Sequence, residues 1–295
     1  MSATYYLSAD VGNDTTGTGT SALPWATIAK FIASSSVTDT CMLQKSTAHY
    51  LWANATISNR TLVGVTNNPL DAVIDAGGSN PTYTMGDPVA FSGIRFTNLV
   101  KTAASYVFNL TAGTQLHCTF TNCQLDNIQF WPVNANSDGC WGGLNGASMI
   151  LTLTNCLIYD VVQAAGSTSG GSMFSGTGGS GVGSVDFEHT TLYIPSGSKM
   201  GQVIRIDYNT GTGLNITLKN FIVQNLDTGI NFFNTTNQGG VTCNASYSCL
   251  NGTNMTSGVT LGTGVITTDP LFIDPTTNFN FNLQASSPCI GAGTI

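Results

Sequence analysis

The segment CTFTNCQLDNI (Cys118 to Ile128) is restated as LTLTNCLIYDVV (Leu151 to Val162). Related phrases recur as TLVGVT from Thr61, VAFSGIRF from Val89, VDFEHTTL from Val185, ITLKNFIV from Ile216 and VTCNASYS from Val241. Successive copies begin 25 to 34 residues apart. A period of this length marks a solenoid, in which each repeat is one supersecondary unit that buries its apolar face only against its neighbours.

Aligned, the seven copies place Gly64, Gly93, Asn122, Asn155, His189, Asn220 and Asn244 in one column. Gly enters left-handed backbone conformations freely, and Asn and His do so more readily than most residues. The column therefore predicts a sharp bend and a structural ladder. Before it stand Leu62, Phe91, Phe120, Leu153, Phe187, Leu218 and Cys243, and further back Val89, Cys118, Leu151, Val185, Ile216 and Val241, with Arg60 the exception. Apolar residues at period two signal strands. Past the bend Val65, Ile94, Cys123, Cys156, Phe221 and Ala245 resume the inward set, interrupted by Thr190.

A unit of strand, bend and strand stacks as an all-β parallel β-helix of about seven or eight coils, each rising about 4.8 Å. In that register Asn122 and Asn155 hydrogen-bond. Cys123 over Cys156 reads as two stacked buried thiols, with oxidation as the alternative, and Glu188 beside Lys219 reads as a surface ion pair of little worth.

The ends need covering, because an open strand edge invites polymerisation. Residues 1–40 read as a strand, a polar loop and a short capping helix begun by Pro24, with Trp25, Ile28, Phe31 and Ile32 on its apolar side. Residues 41–265 form the solenoid and 266–295 a capping tail, all within one domain. In the insertion FWPVNANSDGCWGG, Trp131 and Trp141 are candidates for stacking on sugar rings or anchoring a neighbouring subunit, with packing over the coil as the alternative. The stretch GSTSGGSMFSGTGGSGVGS reads as a surface loop.

Composition narrows the partners. Asp, Glu, Lys and Arg make up only 8% of the chain and Glu188 is its one glutamate, against about 25% charged residues in a typical soluble domain. The surface must then be Thr, Ser, Asn and Gly, which suits sugar contacts or close packing against other subunits. A net charge of −7 with eight Lys and Arg leaves no basic face for nucleic acid. No apolar run reaches membrane-spanning length, and the start MSATYYLSAD lacks the features of a secretory signal. Eight cysteines without CxxC pairs or His at zinc spacing lead us to expect no metal and no cofactor.

The N-terminal YYLSADVGNDTTGTGTSALPWATIAKFI and the C-terminal TDPLFIDPTTNFNFNLQASSPCIGAG resemble the opening and closing signatures of right-handed parallel β-helix proteins of the pectate-lyase-like superfamily. With the coils between them, the resemblance covers essentially the whole chain. It implies a right-handed solenoid and structural roles for Asp10 and Asp14. It says little about function, because that superfamily includes polysaccharide lyases and hydrolases, adhesins, and phage tailspikes and other virion proteins.

Enzymes of that kind need carboxylates clustered around calcium beside a basic residue, or carboxylates flanking a glycosidic bond. The candidates are Asp186 and Glu188, then Arg205 and Asp207; alternation points the first two outward and puts His189 in the bend. The paired-Asp, Gly-His-Gly and Arg-x-Pro-x-x-Arg strings of the enzymes are absent. No catalytic residue is therefore assigned. The leading expectation is a non-enzymatic structural protein on the exterior of an assembly, above all a phage or virus decoration, fibre or spike. Its partners would be other virion subunits or itself, as in a homotrimer, and surface polysaccharide. The alternative is an extracellular or cell-surface polysaccharide-acting enzyme, a lyase or glycoside hydrolase, or a glycan-binding adhesin.

Overall fold

In the computed structural model the described residues are 2–294 except 53, 79, 103–105, 111–114, 131–138, 143–147, 164–171, 178–182, 199, 208–212 and 234–239. The repeats form parallel strands stacked in register. Among the described residues one long sheet holds ten strands, from Thr4–Leu7 through Gln115–Thr121, Ser148–Thr154 and Gly183–Glu188 to Thr260–Leu261. Leu62, Phe91, Phe120, Leu153, Phe187, Leu218 and Ala245 pair one above another along it. All are buried, because one face of each strand points into the coil while the alternate residues face out. The last copy is shifted from the expected alignment: Cys243 stacks on Ile216, not on Leu218.

The chain bends from the long sheet into a second sheet and returns through a third, with eight and seven parallel strands among the described residues. The fold is the expected all-β parallel solenoid, but its three sheets hold unequal numbers of strands, so its coils are not the seven or eight uniform ones expected. In the third sheet Tyr83, Phe108, Trp141 and Phe174 stack in sequence, with ring centroids 5.4, 5.3 and 4.7 Å apart. Their edges meet the long-sheet column, Phe108 on Phe120 at 5.2 Å and Phe174 on Phe187 at 5.0 Å. Edge-to-face and offset contacts of this kind add to the gain from burial.

Trp141 is thus a core residue, 1% exposed, and offers no ring to a sugar or a neighbouring subunit. Its strand, Gly139–Gly142, lies inside the expected insertion, and Ser172–Thr177 lies inside the expected surface loop; both belong to the third sheet. Glycine is needed there by close approach: a Cβ on Gly139 would lie 2.6 Å from the Ser172 carbonyl oxygen, and one on Gly142 would enter the Tyr106 ring. Trp131 lies outside the described residues.

The N-terminal helix is Ile28–Ser34, capped by the Thr27 side chain, which accepts from the Lys30 N–H. It begins later than Pro24 because Trp25 is used by the sheet, exchanging backbone hydrogen bonds with Tyr6 and Ser8. Ile28 and Phe31 are fully buried in the core. Arg60, the exception in the apolar column, caps this helix: its guanidinium donates to the carbonyls of Ile32 and Ser35 and lies over the Phe31 ring.

At the other end Met255, in the turn after Cys249–Asn251, is fully buried in the same core. The tail first covers the end of the second sheet, where Ile266 bridges to Cys249 on its last strand, and then lies along the outside of that sheet. Their antiparallel hairpin, Phe272–Asp274 with Asn280–Leu283, packs Phe272 and Phe281 against Tyr159 and Tyr193 in a small separate cluster.

Candidate functional site

The bends fix which side chains face outward. Gly93, Asn122, Asn155, His189, Asn220 and Tyr247 all have φ between 48° and 63°, and from Asn122 onward each N–H donates to a carbonyl of the next coil. Asn155 donates to Asn122, and Asn122 reaches past Gly93 to Asn67. Two members of the expected column do not hold the bend. Gly64 precedes it, and Asn67, with φ 55°, turns the chain in that coil. Asn244 lies on the strand Val241–Ser246, facing solvent, and Tyr247 bends in its place. At the C-terminal end Asn220 contacts His189 Nε2 and exchanges two hydrogen bonds with Thr294.

A second left-handed ladder lies five residues further on: Asn98, Asn127 and Asp160, with Asn127 donating to Asn98 and Asn98 to Asp75. Sequence reasoning missed it, although the constant offset from Gly93, Asn122 and Asn155 was a usable signal.

Between these constraints the outer face of the long sheet is a flat polar surface. Thr61, Ala90, Thr119, Thr152, Asp186, Thr217, Asn244 and Thr260 form one outward column in register. At about 4.8 Å per strand it runs on the order of 34 Å. Alongside run Ile150, Ser184, Asn215 and Thr242 on one side and Thr121, Thr154, Glu188, Lys219 and Ser246 on the other. Its few charges are locally occupied. Asp186 accepts from Ser184 Oγ at 2.8 Å, and Lys219 Nζ lies 3.1 Å from Glu188 Oε1, with both side chains well exposed, so that ion pair is worth little.

Asp186 and Glu188 therefore sit on the long sheet, whereas Arg205 lies on Gln202–Asp207 of the third sheet, paired with Ser175. Asp207 falls on the same strand, and its side chain is outside the described residues. Asp186 and Glu188 thus lie on a different sheet from the strand that carries Arg205 and Asp207. Among the described residues no three His, Cys, Asp or Glu groups gather as metal ligands.

The structure does bring together a pair that sequence reasoning passed over. Asp87 Oδ1 accepts from the His117 backbone N–H at 2.7 Å and lies 2.9 Å from His117 Nδ1. Such a carboxylate orients an imidazole and leaves Nε2 as the ring's other functional atom. His117 lines an open cleft of about 290 Å³ with Asn59, Arg60, Thr61, Pro88 and Thr119, at one end of the polar face. Cys118 pairs with Val89, so extending the repeat alignment by one residue would have placed His117 beside Pro88.

The fold has solved counterparts. A rhamnogalacturonan lyase is similar with a TM-score of 0.52 and 13% identity, over 84% of this chain and 68% of that one. A pectate lyase is similar with a TM-score of 0.46 and 12% identity, over 100% of this chain and 92% of that one. No family model and no curated protein matches the sequence. At 13% identity the likeness to the rhamnogalacturonan lyase establishes the parallel β-helix fold alone. Neither structure is a virion protein, and the expected place on a phage or virus particle draws no support from them.

Proposed function

We propose that the protein is an extracellular polysaccharide-binding β-helix that holds a neutral or weakly charged glycan along the outer face of the long sheet. One observation carries this reading: the in-register outward column from Thr61 to Thr260. It repeats short hydroxyl and amide groups at about 4.8 Å, close to the advance of an extended sugar chain per residue. Such groups donate to and accept from sugar hydroxyls and lose little rotamer freedom in doing so. At one end Tyr6 and Met42 face outward beside Val63 and add an aromatic ring and apolar surface.

Charge selects the class of glycan. With a net charge of −7 and its one lysine on the face already paired, the surface repels polyuronates. This separates the protein from a pectate lyase in substrate even though the fold is alike.

A second reading, a polysaccharide-acting enzyme, rests on the His117–Asp87 pair at the end of the face, with His117 Nε2 as the proton acceptor. A third, packing against other subunits in a particle or homotrimer, rests on the same charge-poor surface.

Calorimetric titration with neutral and acidic polysaccharides of graded length, combined with assay for new reducing or unsaturated ends, tests these readings. The proposal expects binding to neutral chains that tightens with length, is lost in the double variant Thr152→Arg, Thr217→Arg with its melting temperature retained, and persists in His117→Ala. New chain ends, abolished by His117→Ala, would instead establish the enzyme. Absence of binding to every chain, with self-association through the same face in sedimentation, would overturn both.

A further inference from the structure

Seven of the eight cysteines are buried thiols, and Cys289 alone is partly exposed. It lies on the C-terminal tail and meets Cys249, the first residue of Cys249–Asn251 in the second sheet. Both side chains border one open cavity of about 180 Å³, where they interact with each other.

Each partner is held in place. Cys249 N–H donates to the Phe221 carbonyl at 2.8 Å, and its Sγ to the Thr268 carbonyl at 3.2 Å. The Cys289 N–H donates to Ser287 Oγ at 3.1 Å, and that hydroxyl donates to the Pro270 carbonyl. Five residues beyond, Thr294 is fastened to Asn220.

We propose that Cys249 and Cys289 are a modification site, a dithiol that a low-molecular-weight disulfide oxidises to an intramolecular disulfide fastening the tail to the second sheet. The Cys289 thiolate attacks one sulfur of the reagent, forming a mixed disulfide and releasing one thiolate. Cys249 then gives up its proton and attacks Cys289 Sγ, releasing the second. The protein dithiol loses two electrons and two protons, and the reagent leaves as two thiols.

Reactivity singles out this pair. The adjacent Cys249 side chain pulls the Cys289 pKa down to about 7, against the opposing effect of burial, so the thiolate is populated near neutral pH. Burial pushes Cys41, Cys118 and Cys140 upward. Cys123 and Cys156 also touch, but both are nearly inaccessible, and burial raises Cys156. This inference is independent of the glycan reading.

The test incubates the full native chain with oxidised glutathione, blocks remaining thiols by alkylation and maps the products by mass spectrometry. The expected result is one disulfide per chain joining Cys249 to Cys289, with several-fold slower carboxypeptidase digestion of the tail. In Cys249→Ser the expected product is a stable glutathione adduct on Cys289. A wild-type adduct on Cys289 that never resolves, a Cys123–Cys156 disulfide formed first, or no oxidation of this pair under native conditions would overturn it. Mapping of the wild-type chain decides the matter even if a serine variant fails to fold.

Discussion

Asn155 donates its side-chain amide to the carboxamide oxygen of Asn122 in the adjacent coil, while its own backbone stands at φ 52°. The residue does two things at once: it tolerates a left-handed bend and links neighbouring coils. Asn155→Gly keeps the bend and loses the link, and should cost about 1 kcal/mol. Asn155→Ala loses both and should cost roughly 2–3 kcal/mol. Denaturant unfolding of the two variants measures the difference. Gly93→Ala should be worse than either, since its Cβ would lie 2.7 Å from Asn67 Cα.

Thr190 interrupts the apolar set after the bend, yet it is fully buried. Its hydroxyl reaches the carbonyls of Leu153 at 3.0 Å and Glu188 at 3.1 Å. Cys156 makes the matching contacts to Phe120 and Thr154, and Ser248 to Leu218 and Ser246. The position thus takes a small side chain that donates to two carbonyls. Thr190→Val leaves those groups unpaired and should cost about 1–2 kcal/mol in chemical unfolding. Thr190→Cys, with the donor that Cys156 uses, should cost less.

Trp141 stacks between Phe108 and Phe174 inside the third sheet. Its replacement by Ala should cost about 3–5 kcal/mol, read as a lowered melting temperature. A ring displayed to ligand would show the reverse, lost binding at unchanged stability.

Two carboxylates at the second bend should respond to pH in opposite ways. Burial opposes ionisation of Asp75, but hydrogen bonds from Asn98, Gly77 and His49 outweigh it and hold its pKa below the ordinary value. Its stabilisation is therefore complete above the unfolded pKa of about 3.9 and is lost as pH falls through the lower folded value. Asp75→Asn should destabilise at pH 7, by an amount that shrinks in acid. In Asp160, burial and then the neighbouring Asp126 raise the pKa. Its unfavourable contribution grows as pH rises from about 3.9 through the raised value. Asp160→Asn, which suits the same left-handed bend, should stabilise at pH 7 and lose that advantage below about pH 4. Melting curves of both variants from pH 3 to 8 check the signs.

The long sheet was legible because its inward residues are large and apolar at period two, and because bend and strand recur together. The third sheet was not. Its strands Gly139–Gly142 and Ser172–Thr177 are built from Gly and Ser where backbone and rings approach closely, so composition resembled a loop and hid Trp141 and Phe174. The ends of the repeat failed for a different reason: Gly64 and Asn244 have the residue types of a bend, but Asn67 and Tyr247 occupy it. Residue type alone does not fix the register. The candidate site was legible only in part. Alternation put Asp186 and Glu188 outward on the right sheet, whereas joining Arg205 to them required knowing that the chain crosses two bends between the strands. The His117–Asp87 contact spans thirty residues and shows in the sequence only when the repeat alignment is carried back past Val89 and Cys118.

Every reading above depends on coils stacked in parallel and in register. The most direct test is pulsed electron double resonance between spin labels on non-cysteine amino acids at Ala90 and Asn244, which are five strand spacings apart on the outward column. The account predicts a narrow backbone separation of roughly 24 Å that shortens by about 4.8 Å each time the second label moves one strand back, to Thr217 and then Asp186. A broad distribution, or distances that do not change in these steps, would contradict it.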